Sequence, residues 1–119
     1  MESLNAIEAL SALAQESRLA AFRLAVQAGP NGLPAGEIAE RLAVPHNTMS
    51  THLAILTRAG LLVTERQGRR IIYRVDFAGM RALLAFLLKD CCRGAPIACD
   101  AALDSIQAGC CPATEGPKL

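Results

Sequence analysis

A chain of 119 residues with 52% apolar and 19% charged residues supports one domain around one hydrophobic core and excludes disorder through most of its length. An aromatic content of 3%, with no Trp, excludes a single-stranded nucleic-acid binder built on stacking platforms. The net charge of +1 hides an uneven distribution: between 41 and 74, Arg41, Arg58, Arg66, Arg69, Arg70 and Arg74 stand against Glu65 alone, a local +5, and the remainder carries −4. A basic segment inside a near-neutral protein points to one surface that faces phosphate. The longest apolar run, Ala82 to Leu88, is too short to span a bilayer. Met1-Glu2 does not begin a secretory signal, so a cytoplasmic protein with no membrane partner is expected.

Leu4, Ile7, Leu10 and Leu13 recur at helical spacing and predict an amphipathic first helix. A second helix starts near Ser17, presents Leu19, Phe22 and Val26 on one face, and stops at Gly29-Pro30. Asn31-Gly32-Leu33-Pro34 reads as a turn, and a short helix from about Pro34 to Leu42 buries Ile38, Ala39 and Leu42. After Ala43-Val44-Pro45 a fourth helix runs from His46 to Ala59, with Met49, Leu53 and Leu56 inward and Gly60 as its C-terminal glycine. Two short helices joined by such a turn make a helix-turn-helix. The outward positions of the second are His46, Asn47, Thr48, Ser50, Thr51 and His52. All can hydrogen-bond to base edges or phosphates, and the Glu and Lys of a merely solvated face are missing.

Two strand-like runs follow, Leu61 to Arg66 and Arg70 to Val75, joined by Gln67-Gly68-Arg69. In the second, Ile71, Tyr73 and Val75 alternate with Arg70, Ile72 and Arg74. A basic hairpin directly after a helix-turn-helix is a wing, and Arg66, Arg69 and Arg70 are its candidate DNA contacts. A last helix begins near Asp76 or Phe77, carries the stripe Met80, Leu83, Leu84, Leu87, Leu88 and on to Cys91, and ends at Gly94 and Pro96. The expected fold is mainly α with a small β-hairpin, a winged helix-turn-helix in the order α-α-α-α-β-β-α. One domain over 1–106 and a flexible tail over 107–119 complete it.

From Ile7 to Leu88 the chain resembles the ArsR/SmtB family of metal- and metalloid-responsive repressors. The resemblance is carried by Ala12-Leu13-Ala14-Gln15-Glu16-Ser17-Arg18-Leu19, Glu37-Ile38-Ala39-Glu40-Arg41-Leu42 and Ser50-Thr51-His52-Leu53. It continues through Leu56 to Ala59-Gly60-Leu61-Leu62 and the wing Arg66-Gln67-Gly68-Arg69-Arg70 with Tyr73. It implies a homodimer built by the first and last helices, with two recognition helices in successive major grooves of double-stranded operator DNA. The operator would be an imperfect palindrome with half-sites about 34–36 Å apart.

The five cysteines, Cys91, Cys92, Cys99, Cys110 and Cys111, all lie beyond the wing. A reducing compartment disfavours a disulfide framework, and an odd number cannot pair completely. Of the family's other sites, the Cys-x-Cys place before the recognition helix holds Pro34-Ala35-Gly36. The Asp and His place on the last helix has Asp76 but no His, since none follows His52. Thiols alone select soft ions. Cys91, Cys92 and Cys99 can supply the three thiolates that trivalent arsenic or antimony takes. Adjacent helical residues point about 100° apart, so Cys91 and Cys92 converge only if the helix end unwinds. The Cys-Cys, turn, Cys pattern resembles the arsenite-sensing branch of the family, whose thiols also end the last helix.

Arsenite, with antimonite as a second candidate, is therefore the expected inducer, and no organic cofactor is expected. Cys91 also reads as a small core residue extending the leucine stripe. Cys110 and Cys111 fit an auxiliary site, a scavenging pair or a passive tail. Two rival signals stand on the same fold: oxidation of a pair such as Cys91 and Cys99, to a disulfide between them or a persulfide on one of them, and methylated trivalent arsenic, which needs only two thiols. An enzyme is the reading of a different class. It finds no Cys-x-x-Cys in a βαβ setting, no glycine-rich phosphate loop and no base beside the thiols.

Overall fold

The computed structural model describes residues 2–89. All five cysteines, the expected helix stop at Gly94 and Pro96, the domain limit at 106 and the tail from 107 lie outside the described residues. The elements in chain order are α1 (Ser3–Leu13), α2 (Glu16–Ala28), a 3-10 turn (Gly29–Asn31), β1 (Leu33–Pro34), α3 (Ala35–Leu42) and α4 (His46–Arg58). They continue with β2 (Leu62–Gln67), β3 (Arg70–Val75) and α5 (Phe77–Leu87). The antiparallel sheet has the order β1-β3-β2, and β2 and β3 pair from Leu62↔Val75 to Gln67↔Arg70. Gly68, with φ +65°, turns the hairpin as its sequence position requires.

The centre of the core is α4 laid against the sheet and the first three helices. Met49, Leu53 and Leu56 recur at i, i+4 and i+7, and each is fully buried together with Ile38, Leu61 and Leu62. Removing an apolar side chain of this size from water contributes about 1.5–3 kcal/mol. This part of the sequence reading stands as expected.

The first two helices differ from expectation in the face they bury. In α1 the core takes Ala6, Ala9 and Ala12, while Leu4 is 76% and Ile7 61% exposed and Leu10 is also exposed. In α2 Phe22 is buried and Val26 half-buried against the core as expected, but Ala21 and Ala25 join them and Leu19 is exposed. Alanine lets helix axes approach closely, so the small-residue face packs inward and the branched residues project outward. α5 behaves similarly. Within its stripe only Leu83 is buried, and Leu87 and Leu88 are exposed. Among the described residues α5 runs to Leu87, with Lys89 N–H closing back on Phe86 O at 3.3 Å.

The stretch read as a turn at 31–34 contains a third strand. Leu33 pairs with Tyr73 and Pro34 with Ile72, so β3 becomes the central strand. This also breaks the expected alternation in β3: Ile72 is buried and Ile71 exposed. Ile72 and Arg74 pack on the opposite face of the sheet beneath Gly32, where a Cβ would stand 2.8 Å from Ile72 Cγ2 and 2.6 Å from Tyr73 O. β3 buries Ile72 on one face and Val75 on the other, while Arg70 and Ile71 toward the wing tip stay exposed, so a strict period of two fails there.

Candidate nucleic-acid interface

α3 and α4 are joined by a tight left-handed corner. Ala43 adopts φ 56°, ψ 43°, with Val44 N–H donating to Ala39 O at 3.0 Å and Ala43 N–H to Glu40 O at 3.2 Å. These are the paired bonds of a Schellman ending, here with alanine where glycine is usual. Pro45 precedes α4 in extended backbone, so the chain cannot continue as α3 and re-enters a new helix at His46. Within α4, Asn47 Oδ1 accepts from Thr48 N–H at 2.9 Å and Thr51 Oγ1 donates to Asn47 O at 3.3 Å.

His46, Asn47, Thr48, Ser50 and Thr51 are all exposed, as the sequence predicts for a reading face. His52 is not among them. It is half-buried, with Nδ1 3.3 Å from Arg18 Nη1 on α2. Ala54, and Arg58 of the basic segment, were not among the expected reading residues of α4 but are exposed and continue the stripe of Asn47, Ser50 and Thr51. Their i+3/i+4 spacing from that group was the available signal.

The hairpin sorts its arginines by partner. Arg74 is tied to Glu65 across the strands at 2.7 Å, and Arg41 on α3 is tied to Glu37. Among the described residues, the side chains of Arg66, Arg69 and Arg70 make no hydrogen bond or ion pair and are exposed. Between α3, α4 and the wing lies an open cleft of about 850 Å³, lined in part by Glu40, Arg41, Ser50, Arg69, Arg70 and Tyr73. The arrangement places uncharged hydrogen-bonding groups on a helix and unpaired guanidinium groups on the flanking hairpin. Duplex recognition uses the same division, with side-chain amides and hydroxyls on base edges and arginines on phosphates.

Among the described residues no group of three His, Cys, Asp or Glu could hold a metal ion, and no helix is long and apolar enough to cross a membrane. The candidate ligands Cys91, Cys92 and Cys99 lie outside those residues.

Residues 13–65 match the family model of a helix-turn-helix domain. The chain is 30% identical over 91 residues to the transcriptional activator HlyU of Vibrio cholerae, a match covering 76% of this chain and 82% of HlyU. A solved structure of HlyU has a TM-score of 0.60, with 77% of this chain and 99% of that one covered at 30% identity. HlyU in its reduced form, also 30% identical, has a TM-score of 0.59 and covers 76% of this chain and 92% of its own. The homodimeric winged helix-turn-helix DNA-binding domain of Mb0332 from Mycobacterium bovis, a possible ArsR-family regulator, is 25% identical. Its TM-score is 0.59, with 71% of this chain and 76% of that chain covered. A possible transcriptional regulator for arsenical resistance is 26% identical, with a TM-score of 0.56 and coverage of 91% and 98%. On this fold and these relatives, the chain belongs to the ArsR/SmtB-type family of DNA-binding winged-helix transcriptional regulators.

Proposed function

We propose that this regulator is a homodimeric repressor that releases an imperfectly palindromic operator when trivalent arsenic, or antimony, binds to Cys91, Cys92 and Cys99. The observation that carries the reading is the sequence position of the thiols. The first follows the end of α5 by four residues, and α5 is a helix with exposed Leu87 and Leu88. Leu4, Ile7 and Leu10 of α1 and Leu87 of α5 are exposed apolar side chains that a second copy would cover. The homodimeric relative supports the same assembly.

The donor set fits a soft ion, because three thiols without imidazole or carboxylate select thiophilic metalloids over zinc or nickel. Bound there, the ion supplies a preference for one placement of α5. The chain's own residues carry that preference toward DNA. Asp76 N–H donates to Leu61 O at 2.9 Å and the Asp76 carboxylate caps α5 through Gly79 N–H at 2.9 Å, so α5 starts fastened to the corner that ends α4. Beyond that anchor Leu83 of α5 is buried and Phe77, Met80 and Phe86 pack half-buried against the core, so a shift of the helix would be felt by the domain that carries α4. Such coupling is typically about 1–3 kcal/mol, enough to weaken operator binding roughly 5- to 150-fold.

The experiment is titration of the reduced protein with arsenite while operator release and sulfur-to-metalloid absorbance are followed together. Cys92→Ser and Cys99→Ser are each expected to abolish release and leave binding in the absence of arsenite intact. Release unchanged in either variant refutes the site. A second reading is favoured by the likeness to HlyU, which has been solved in a form described as reduced. In that reading Cys91 and Cys99 are oxidised to a disulfide, and oxidant alone releases the DNA with no metalloid present.

A further inference from the structure

Helical spacing assigns His52 to the reading face of α4, yet its ring is held from the opposite side. Arg18 on α2 donates through Nε to Ala12 O in the last turn of α1 at 2.7 Å, and its Nη1 lies 3.3 Å from His52 Nδ1. Its own backbone N–H donates to Gln15 Oε1 at 2.8 Å, the cap of α2. One guanidinium therefore clasps the α1–α2 corner and reaches across to the recognition helix. A guanidinium has donors and no acceptor, so Nδ1 must present its lone pair and Nε2 must carry the hydrogen.

We infer that Arg18 and His52 are positioning residues, a strut that holds the recognition helix against the α1–α2 corner only while His52 is neutral. Protonation turns Nδ1 into a donor, which removes the acceptor and sets one cation beside another. A proton on Nδ1 therefore opens the strut, and acidification is the perturbation that tests it. Arg18 is the charged group bonded to the ring. The remaining charged side chains of α1 and the first turns of α2, namely Glu2, Glu8 and Glu16, are exposed, as are Arg23 farther along α2 and His46 and Arg58 on α4 itself. On α3, Glu37 is tied to Arg41. The inference rests on DNA binding through α4 and not on the thiol inducer.

The sign separates this role from direct DNA contact. A histidine on phosphate binds DNA more tightly when protonated, whereas the strut loses affinity. The test follows fluorescence anisotropy of the full chain with a duplex selected against it from a randomised pool. Wild type is expected to bind about tenfold more weakly once acidification has protonated the ring, as its nitrogen shifts report, the loss of one charge-assisted hydrogen bond. His52→Gln, whose amide oxygen can still accept from Arg18, should keep the higher-pH affinity and lose that step. His46→Gln should retain the step. A step unchanged in His52→Gln, or wild-type binding that tightens through His52 on acidification, overturns the proposal. Ring nitrogen chemical shifts give a reading independent of DNA. They should show His52 as the Nε2–H tautomer at neutral pH, and an Nδ1–H tautomer overturns the strut even if no duplex is retained.

Discussion

Replacing Gly32 by Ala adds one methyl group at the place where the 3-10 turn enters β1. The backbone there has φ 67° and ψ −170°, a region essentially reserved to glycine. The new Cβ would also lie 2.5 Å from Arg74 Cγ, 2.6 Å from Tyr73 O and 2.8 Å from Ile72 Cγ2. Gly29, three residues earlier, supplies the control. Its backbone is similar, φ 69° and ψ −148°, but nothing lies within 4 Å of a Cβ built on it. Both substitutions incur conformational strain of about 1–3 kcal/mol. Both also gain about 0.4–1 kcal/mol from a less flexible unfolded chain, so that gain cancels in the comparison. Only Gly32→Ala must in addition push a strand carbonyl and two packed side chains aside, at a further cost of about 1–3 kcal/mol. At roughly 4–8 °C per kcal/mol for a domain of this size, Gly32→Ala should melt about 5–20 °C below Gly29→Ala. Thermal unfolding by circular dichroism at one fixed protein concentration reads this, since a dimer's midpoint depends on concentration. Equal midpoints for the two variants, or Gly32→Ala melting with wild type, would refute the packing of Gly32 beneath β3.

Ala43 occupies a left-handed position that costs an L side chain about 1–2 kcal/mol, so Ala43→Gly should leave stability unchanged or raise it by up to about 1 kcal/mol once glycine's greater unfolded freedom is subtracted. A lower urea midpoint at unchanged slope would contradict the observed corner. The partition of the wing arginines predicts two behaviours in DNA titrations at varied salt. Arg70→Ala should reduce the slope of log affinity against log salt by roughly two, one lost phosphate contact in each protomer of a dimer. Arg74→Ala, whose guanidinium is already tied to Glu65, should leave that slope nearly unchanged, and the reverse order would show that the Arg74–Glu65 pair opens on DNA.

Much of this regulator can be read from its sequence, for identifiable reasons. Met49, Leu53 and Leu56 form the only inward apolar face of α4, so periodicity located the recognition helix and its exposed Asn47, Ser50 and Thr51 together. Gly60 and Gly68 mark turns whose positive φ few other residues accept, which placed the end of α4 and the tip of the wing. The cluster of thiols is likewise a fact of sequence alone.

Tertiary structure decided what periodicity leaves open. α1 carries two apolar stripes, Ala6-Ala9-Ala12 and Leu4-Ile7-Leu10, and a hydrophobic period reports both without saying which meets the core. The alanines do, because only small side chains allow α1 to sit close against its neighbours, and Leu4, Ile7 and Leu10 are thereby left exposed. His52 is the counterpart on the polar side. Its spacing fits the reading face, but its ring is half-buried with Nδ1 3.3 Å from the guanidinium of Arg18, 34 residues away in the chain. A charge partner or hydrogen bond across such a distance depends on where the helices pack, and local sequence holds no record of that.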